Sequence, residues 1–295
     1  MSWIAGVQRA IDYIEENITQ ELDSEEVARQ ASSSSFHFQR VFGILCTCTI
    51  GEYIRARRLT LAGMELAASD IRVIDAALKY GYESPESFSR AFVKFHGITP
   101  SRAKKPGANL RLFSRLSVKL VMEGGLAMDY RIEERKAFKV IEKVRVFSTK
   151  DELHLEEIPK FWERAGLDGT IRELCGFSSG SEFDGRILGI CHGAGDSAEF
   201  CYSIASGYNG KTPVPEGFRI KEIPAATWAI FKCKGPVPGA IQNLWRRIYT
   251  EFFPTSEYLP KNGIDFEVYP EGDLSSPHYE SEIRVAVEKP EKPVE

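Results

Sequence analysis

Apolar residues recur at helical spacing through the first hundred residues of the chain. One amphipathic stripe runs through residues 4–18, and shorter stripes follow in residues 24–31 and 36–45. A capping box then opens a longer helical segment at residues 49–68. The pattern predicts a compact bundle of short helices joined by tight turns.

The helical pattern then repeats fifty residues further along. A short helix is expected to end at Gly81, and another begins at Ser84, which is followed by proline and glutamate. The sequence Phe38-x-Arg40-x-Phe42 recurs as Phe88-x-Arg90-x-Phe92. This internal duplication predicts two helix-turn-helix units joined by the long helix, and such units place their second helix in the major groove of DNA.

Beyond residue 128 the pattern changes to runs that are typical of β-strands, and two amphipathic helices interrupt them, near Trp162 and Trp245. The order strand, helix, strand, strand occurs twice. We therefore predict an all-α double helix-turn-helix domain over 1–106, a glycine-containing linker over 107–127, and an α+β domain over 128–290. The two α+β halves share one sheet or face each other.

Composition and charge limit the kinds of function that the chain can have. A hydrophobic content of 43% and a charged content of 27% are ordinary for a soluble protein, and no run approaches the roughly 20 apolar residues of a membrane span, so we expect a cytoplasmic protein without a membrane partner. The six cysteines are scattered, which favours reduced thiols over a metal site. The first 106 residues carry 13 basic and 13 acidic side chains, so a DNA site depends on where the charges lie.

Base readers are expected on the face of each second helix that lies opposite its apolar stripe. Glutamine pairs with adenine, arginine pairs with guanine or phosphate, and an exposed phenylalanine contacts the thymine methyl group. The alternative is a solvated helix face without a DNA contact. The candidates, with Lys94 as a backbone contact, are Ser35, Phe36, Gln39, Arg40, Pro85, Glu86, Ser89, Arg90 and Lys94. Arg57 and Arg58 are either phosphate contacts or structural residues.

Residues 3–105 resemble the AraC/XylS family of transcription regulators. The resemblance is carried by Ala28-x3-Ser32-x-Ser34-x3-Phe38-Gln39-Arg40-Val41-Phe42 and by Ile74-x2-Ala77-x3-Gly81-Tyr82-x-Ser84-x3-Phe88-Ser89-Arg90-Ala91-Phe92. It implies a regulator that binds double-stranded DNA at a promoter or operator, as an activator or as a repressor. Ser32 stands where the family has a turn glycine, so we expect strain in the first turn.

Residues 128–288 are similar to the gyrase-inhibitor-like effector-binding domain. The segments Ile223-Pro224-Ala225-Ala226-x-Trp228, Trp245-x3-Tyr249 and Phe266-Glu267-x-Tyr269-Pro270 carry this resemblance. It implies two β-α-β-β repeats around a cleft that binds a flat, hydrophobic or cationic compound near a buried glutamate. We expect the cleft to be lined by Trp162, Tyr202, Trp228, Tyr258, Phe266 and Glu267. Each tryptophan is equally compatible with a core position, and Glu267 is comparably compatible with a strand carboxylate that pairs with an arginine.

Two other functions remain open for the second half. Glu267 could act as a general base in a weak hydrolase, which would need a partner such as Tyr258 within hydrogen-bond distance. The domain could instead dock a protein such as RNA polymerase. We favour a non-enzymatic sensor that needs no cofactor or metal, because fusion to a DNA reader gives small-molecule binding a sufficient purpose.

Overall fold

The computed structural model describes residues 3–46, 48–118, 127–148, 153–192 and 199–289. The chain divides into two compact units, and the second contains Ser33–Leu45 together with everything that follows the linker. The helix at residues 35–46, expected in the DNA-binding domain, therefore groups with the second unit. The contacts that place it there are described with the candidate site.

The predicted helical pattern of the first hundred residues is present. The helices are α1 (Trp3–Glu16), α2 (Ser24–Gln30), α3 (Ser35–Cys46), α4 (Ile50–Ala68), α5 (Val73–Lys79), α6 (Pro85–His96) and α7 (Pro100–Ala103). Thr49 and Glu52 form the expected reciprocal capping box at the start of α4. Ser84 caps α6 by accepting a hydrogen bond from the backbone N–H of Ser87.

The second helix-turn-helix consists of α5 and α6 packed against α4. Its core is formed by Leu59, Ala62, Leu66, Ala76, Ala77, Tyr80, Phe88, Phe92 and Ala103. The turn between α5 and α6 passes through Gly81 in the left-handed region, with φ of 79°. Ser32 has a φ of 55° in the turn that follows α2, where the family has a glycine. A side chain in this conformation costs about 1–2 kcal/mol, so the first turn carries the strain expected from the sequence.

The first part of the predicted linker is fixed to the first unit. His96 accepts a hydrogen bond at Nδ1 from the backbone N–H of Arg111 (3.1 Å) and donates from Nε2 to the carbonyl of Leu59 (2.9 Å). The backbone N–H of Phe113 donates to Thr60 Oγ1 at 3.0 Å. Residues 108–118 are thus held in place, and the remainder of the predicted linker, 119–126, lies outside the described residues.

In the described residues of the second unit, one antiparallel sheet contains eight strands in the order β1-β6-β8-β7-β3-β4-β2-β5. The strands are β1 (Tyr130–Arg135), β2 (Phe138–Ser148), β3 (Arg186–His192), β4 (Glu199–Gly207), β5 (Arg219–Ile223), β6 (Ala226–Lys234), β7 (Leu259–Pro270) and β8 (Glu280–Glu288). The helices are α8 (His154–Leu167), α9 (Thr170–Phe177) and α10 (Gly239–Arg247). A π-helical turn (Ile248–Phe252) and a final short helix, α11 (Phe253–Thr255), continue α10.

The strand order is symmetric about the pairing of β3 with β7. Reading outward from this seam, β3, β4, β2 and β5 on one side correspond to β7, β8, β6 and β1 on the other. The prediction of two β-α-β-β repeats is confirmed, with one addition. Each repeat is preceded by an edge strand, β1 or β5, which pairs with the opposite half.

Both faces of the sheet are buried, and alternate residues of β3 contribute to the two cores. Ile187 and Cys191 belong to the core under α8 and α9, whereas Leu188 and Ile190 belong to the core on the opposite face. Within the described ranges, no helix combines the length and apolar character that a bilayer-crossing segment requires.

Candidate functional site

The carboxylate of Glu267 occupies the centre of the sheet on β7, where this strand pairs with β3. It is only 16% exposed and accepts two strong hydrogen bonds. Tyr269 donates its hydroxyl to Oε2 at 2.7 Å, and Trp245 of α10 donates its indole N–H to Oε1 at 2.8 Å. These two neutral donors hold the carboxylate without neutralising its charge, so the site retains an affinity for a cation.

A second hydrogen-bonded pair of aromatic residues borders this carboxylate from the first half of the sheet. Trp162 of α8 donates its indole N–H to the hydroxyl of Tyr202 at 2.9 Å, and its ring meets Tyr269 edge-on at 5.5 Å. Burial raises the pKa of Tyr202 and of Tyr269, so both hydroxyls stay protonated at neutral pH. The site therefore combines one carboxylate with aromatic rings from both halves of the domain.

Gly189 makes room for this arrangement. It lies directly opposite Glu267 in the β3–β7 register. A Cβ at this position would approach the Tyr202 hydroxyl to 2.5 Å, Trp162 to 3.0 Å and Glu267 Oε2 to 3.5 Å. Because this Cβ would clash with two aromatic side chains, any residue larger than glycine would displace them.

A guanidinium group from α3 lies beside the carboxylate of Glu267. Arg40 Nη1 lies 2.7 Å from Asp265 Oδ1, and its Nη2 lies 3.5 Å from Glu267 Oε1. The guanidinium carbon is 3.9 Å from the centre of the Trp245 ring, which is cation–π geometry. Burial opposes the charge on Arg40, but Asp265 and Glu267 outweigh it and raise the pKa of Arg40. The site holds a buried, paired cation.

Two further side chains of α3 enter the same cleft. The ring of Phe36 lies 3.8 Å from that of Phe200, within the core under α8 and α9. His37 Nε2 lies 3.3 Å from the hydroxyl of Tyr249, on the other side of the cleft. The cavity left beside α3 measures about 20 Å³, which is space for about one water molecule. The helix therefore fills the cleft between the two halves of the second unit.

The structure brings together three of the six predicted lining residues, namely Trp162, Tyr202 and Glu267. Trp228 and Phe266 contact each other at 5.0 Å in the core on the opposite face, because Phe266 is next to Glu267 on the strand and points the other way. Tyr258 lies apart from the cleft residues, beneath the ammonium of Lys289 at 5.3 Å. These three residues are not carried into the site.

Sequence reasoning missed three residues that complete the site, and two of them could have been found. Asp265 and Tyr269 are two positions from Glu267, so strand alternation places them on its face of the sheet. Trp245 was quoted as part of the family pattern but was not assigned to the cleft. Its role depends on the packing of α10 over the sheet, which local sequence does not specify.

The predicted DNA readers fall into two groups that differ in exposure. On α3, Ser35 and Phe36 are buried, and Gln39 and Arg40 are only partly exposed. On α6, Glu86, Arg90 and Lys94 are exposed, whereas Pro85 and Ser89 are half-buried. The α6 face is thus accessible to a duplex, whereas the α3 face is covered by the other residues of the second unit.

Arg57 and Arg58 make structural contacts within the helical unit. Arg57 is 8% exposed and forms an ion pair with Glu15 at 2.8 Å. Arg58 donates hydrogen bonds to the backbone carbonyls of Ile18 and Gln20. Both arginines hold the helical unit together.

The sheet brings together a serine, a histidine and a glutamate that are distant in sequence. Glu142 Oε2 accepts a hydrogen bond from the hydroxyl of Ser203 at 2.6 Å and lies 2.7 Å from His192 Nε2. The same ring nitrogen lies 2.9 Å from Ser203 Oγ. A catalytic triad needs the serine and the carboxylate on different ring nitrogens, so this cluster pins β2, β3 and β4 together and is not a nucleophilic site.

Two family models match this chain. One is described as a helix-turn-helix domain and matches residues 27–105, and the other is described as an integron-associated effector binding protein and matches residues 131–287. The HTH-type transcriptional activator AarP of Providencia stuartii is 38% identical over 95 residues, which cover 32% of this chain and 70% of AarP. The regulatory protein SoxS of Salmonella typhimurium is 40% identical over 95 residues, which cover 32% of this chain and 89% of SoxS.

Among solved structures, a protein from Staphylococcus aureus is 22% identical and superimposes with a TM-score of 0.47. The match covers 55% of this chain and 99% of the staphylococcal protein.

Substitution of Gly189 tests the packing of the cleft. Gly189→Ala should destabilise the protein by about 1–3 kcal/mol, because the added methyl group forces Tyr202 and Trp162 apart. The measurement is urea unfolding followed by tryptophan fluorescence. Gly176→Ala in α9 is the matched control, since a Cβ there meets no atom within 4 Å. Equal stabilities of the two variants would contradict the described packing.

Proposed function

This chain belongs to the AraC/XylS family of transcription regulators and carries an effector-binding domain, and we propose that this domain binds a hydrophobic cation that controls DNA binding. The observation that carries the proposal is the position of Arg40. A guanidinium group lies between Asp265 and Glu267 and against the face of Trp245, so the cleft already accommodates a cation.

The chemistry of the cleft supports a cation with aromatic or bulky apolar substituents. The two carboxylates provide a charge partner, and the rings of Trp162, Trp245 and Tyr269 provide apolar surface around it. A cation–π contact contributes about 0.5–2 kcal/mol, and a charge partner inside a poorly hydrated cleft adds to this. A small, strongly hydrated cation would gain less binding free energy, because entering the cleft would remove its hydration shell.

The same geometry argues for binding and not for catalysis. Both oxygens of Glu267 already accept hydrogen bonds, from Tyr269 and from Trp245, so a substrate proton would have to compete with these donors for the carboxylate. The partner expected for a hydrolase, Tyr258, contacts Lys289 and not this carboxylate. Regulation by a bound effector is the function that fits these contacts best.

For DNA, the accessible reader is α6. Arg90 and Lys94 are exposed one turn apart on this helix, and we propose that Arg90 contacts a base edge and that Lys94 contacts a phosphate. Because the first 106 residues are neutral in balance, DNA affinity depends on where the exposed cations lie and not on net charge.

The α6 readers are tested with a duplex selected from a random pool by the full chain. Arg90→Ala should cost about 1–3 kcal/mol of specific binding and relax the preference at one base position, because a base contact is lost. Lys94→Ala should weaken selected and unselected duplexes alike and reduce the salt slope by about one. Fluorescence anisotropy measures both effects, with Lys160→Ala as the control. Unchanged selectivity of Arg90→Ala would contradict its assignment as a base reader.

The cation site is tested by calorimetry with tetraphenylphosphonium and the neutral triphenylphosphine oxide. Glu267→Gln should weaken tetraphenylphosphonium binding by about tenfold or more and leave the neutral compound nearly unaffected, because only the cation loses a charge partner. Glu156→Gln is the matched control, since its carboxylate is 76% exposed on α8.

Two outcomes would count against this proposal. Equal losses for the cation and the neutral compound would show that charge is not recognised. No binding of either compound by the wild-type chain would favour a domain that docks a protein such as RNA polymerase.

A further inference from the structure

We infer that α3 is the resident occupant of the effector cleft, and that a hydrophobic cation acts by displacing this DNA-reading helix. This inference rests on the proposed function, since it takes the cleft around Glu267 as the effector site. It adds a mechanism, the release of α3 by the effector, and it predicts that effector binding strengthens DNA binding.

The helix presents the cleft with the same chemistry as the proposed effector. Phe36 supplies an aromatic ring that packs on Phe200, and Arg40, one turn later, supplies a cation. The cation is held by Asp265, Glu267 and the face of Trp245. One face of α3 thus combines an aromatic group and a positive charge, as an aromatic cation does.

The helix and an effector cannot occupy the cleft together. A cavity beside α3 that borders Phe36 and Asp265 holds about 20 Å³, far less than the roughly 300 Å³ or more of a small-molecule pocket. A second cation at Glu267 would also lie beside the guanidinium of Arg40, which is 3.5 Å from Oε1, and the two positive charges would repel each other. Effector binding therefore requires Arg40 and Phe36 to withdraw.

The side chains that withdraw are those that the sequence assigns to DNA. Ser35, Phe36, Gln39 and Arg40 form the predicted base-reading face of the first helix-turn-helix, and all four are buried or half-buried in the second unit. A helix reads a groove only through exposed side chains. In the docked state the chain consequently presents only the α6 face to DNA.

The docked state also contains a feature that limits its stability. Gln39 Oε1 is buried and has no hydrogen-bond partner within the described part of the chain. A buried acceptor without a partner opposes docking, because it has lost its water without compensation. The docked helix is therefore held firmly by Arg40 and Phe36 but can be exchanged for a competing ligand.

The direct test is thermodynamic linkage in the full wild-type chain. Anisotropy with a duplex selected from a random pool measures DNA affinity with and without tetraphenylphosphonium. If the docked form outnumbers the released form by about ten to one, saturating cation should tighten DNA binding by up to about tenfold. DNA should tighten cation binding by the same factor. Unchanged or weaker DNA binding at saturating cation would overturn the inference.

A variant tests the docked helix without any ligand. Asp265→Asn removes the charge nearest Arg40 and leaves every predicted DNA reader intact, so it should tighten DNA binding by about fivefold or more in the absence of cation. Glu156→Gln corrects for the loss of one negative charge, which by itself favours DNA. Equal DNA affinities of the two variants would overturn the inference.

The cation experiment and the Asp265→Asn experiment together distinguish a failure of the displacement mechanism from a failure of the proposed effector class. Tighter DNA binding by Asp265→Asn together with no binding of tetraphenylphosphonium would support the docked helix and reject the proposed effector class. Cation binding that depends on Glu267, without any effect of cation or of Asp265→Asn on DNA, would retain the effector site and reject the displacement mechanism.

Discussion

The cleft of the second unit is organised around the carboxylate of Glu267, which is only 16% exposed. A carboxylate at the centre of a sheet is expensive to bury unless donors and a cation surround it, and Glu267 has both. Tyr269 and Trp245 satisfy its oxygens, and Arg40 supplies the opposite charge. Gly189 is required on the neighbouring strand because a side chain there would occupy the space of these partners. The composition of the cleft follows from the requirements of this carboxylate.

The symmetry of the sheet explains how one charge can be surrounded in this way. The two halves meet at β3 and β7, and α8 of one half and α10 of the other each reach the residues around this seam. Each helix contributes one tryptophan whose N–H bonds to a polar group of the seam, Trp162 to Tyr202 and Trp245 to Glu267. A ligand at the seam would therefore contact both halves at once. The edge strands β1 and β5 pair across the halves and fix them in a single sheet.

Much of the fold could be predicted from local sequence, because caps, periodicity and the fifty-residue duplication are short-range signals. The left-handed turn at Ser32 is an example, since the position of a missing glycine was visible in the sequence. The cleft could be predicted only in part. Trp228 and Phe266 were expected there but point to the opposite core, and strand alternation from Glu267 would have excluded Phe266.

The position of Arg40 could not be predicted from sequence. Its partners Asp265 and Glu267 are more than 200 residues away along the chain, and its motif specifies only a DNA reader. The same property, a cation on one face of a helix, suits either DNA or a carboxylate. The sequence pattern predicts the first role for Arg40, and the structure shows the second.

Amide hydrogen exchange of the full chain tests most directly whether one site holds either α3 or a cation. Exchange is followed by mass spectrometry with and without saturating tetraphenylphosphonium. The account predicts faster exchange in residues 35–46, because the released helix loses its packing, and slower exchange in β3 and β7. Slower exchange in residues 35–46 together with β3 and β7 would show that cation and helix bind side by side, and this would contradict the account.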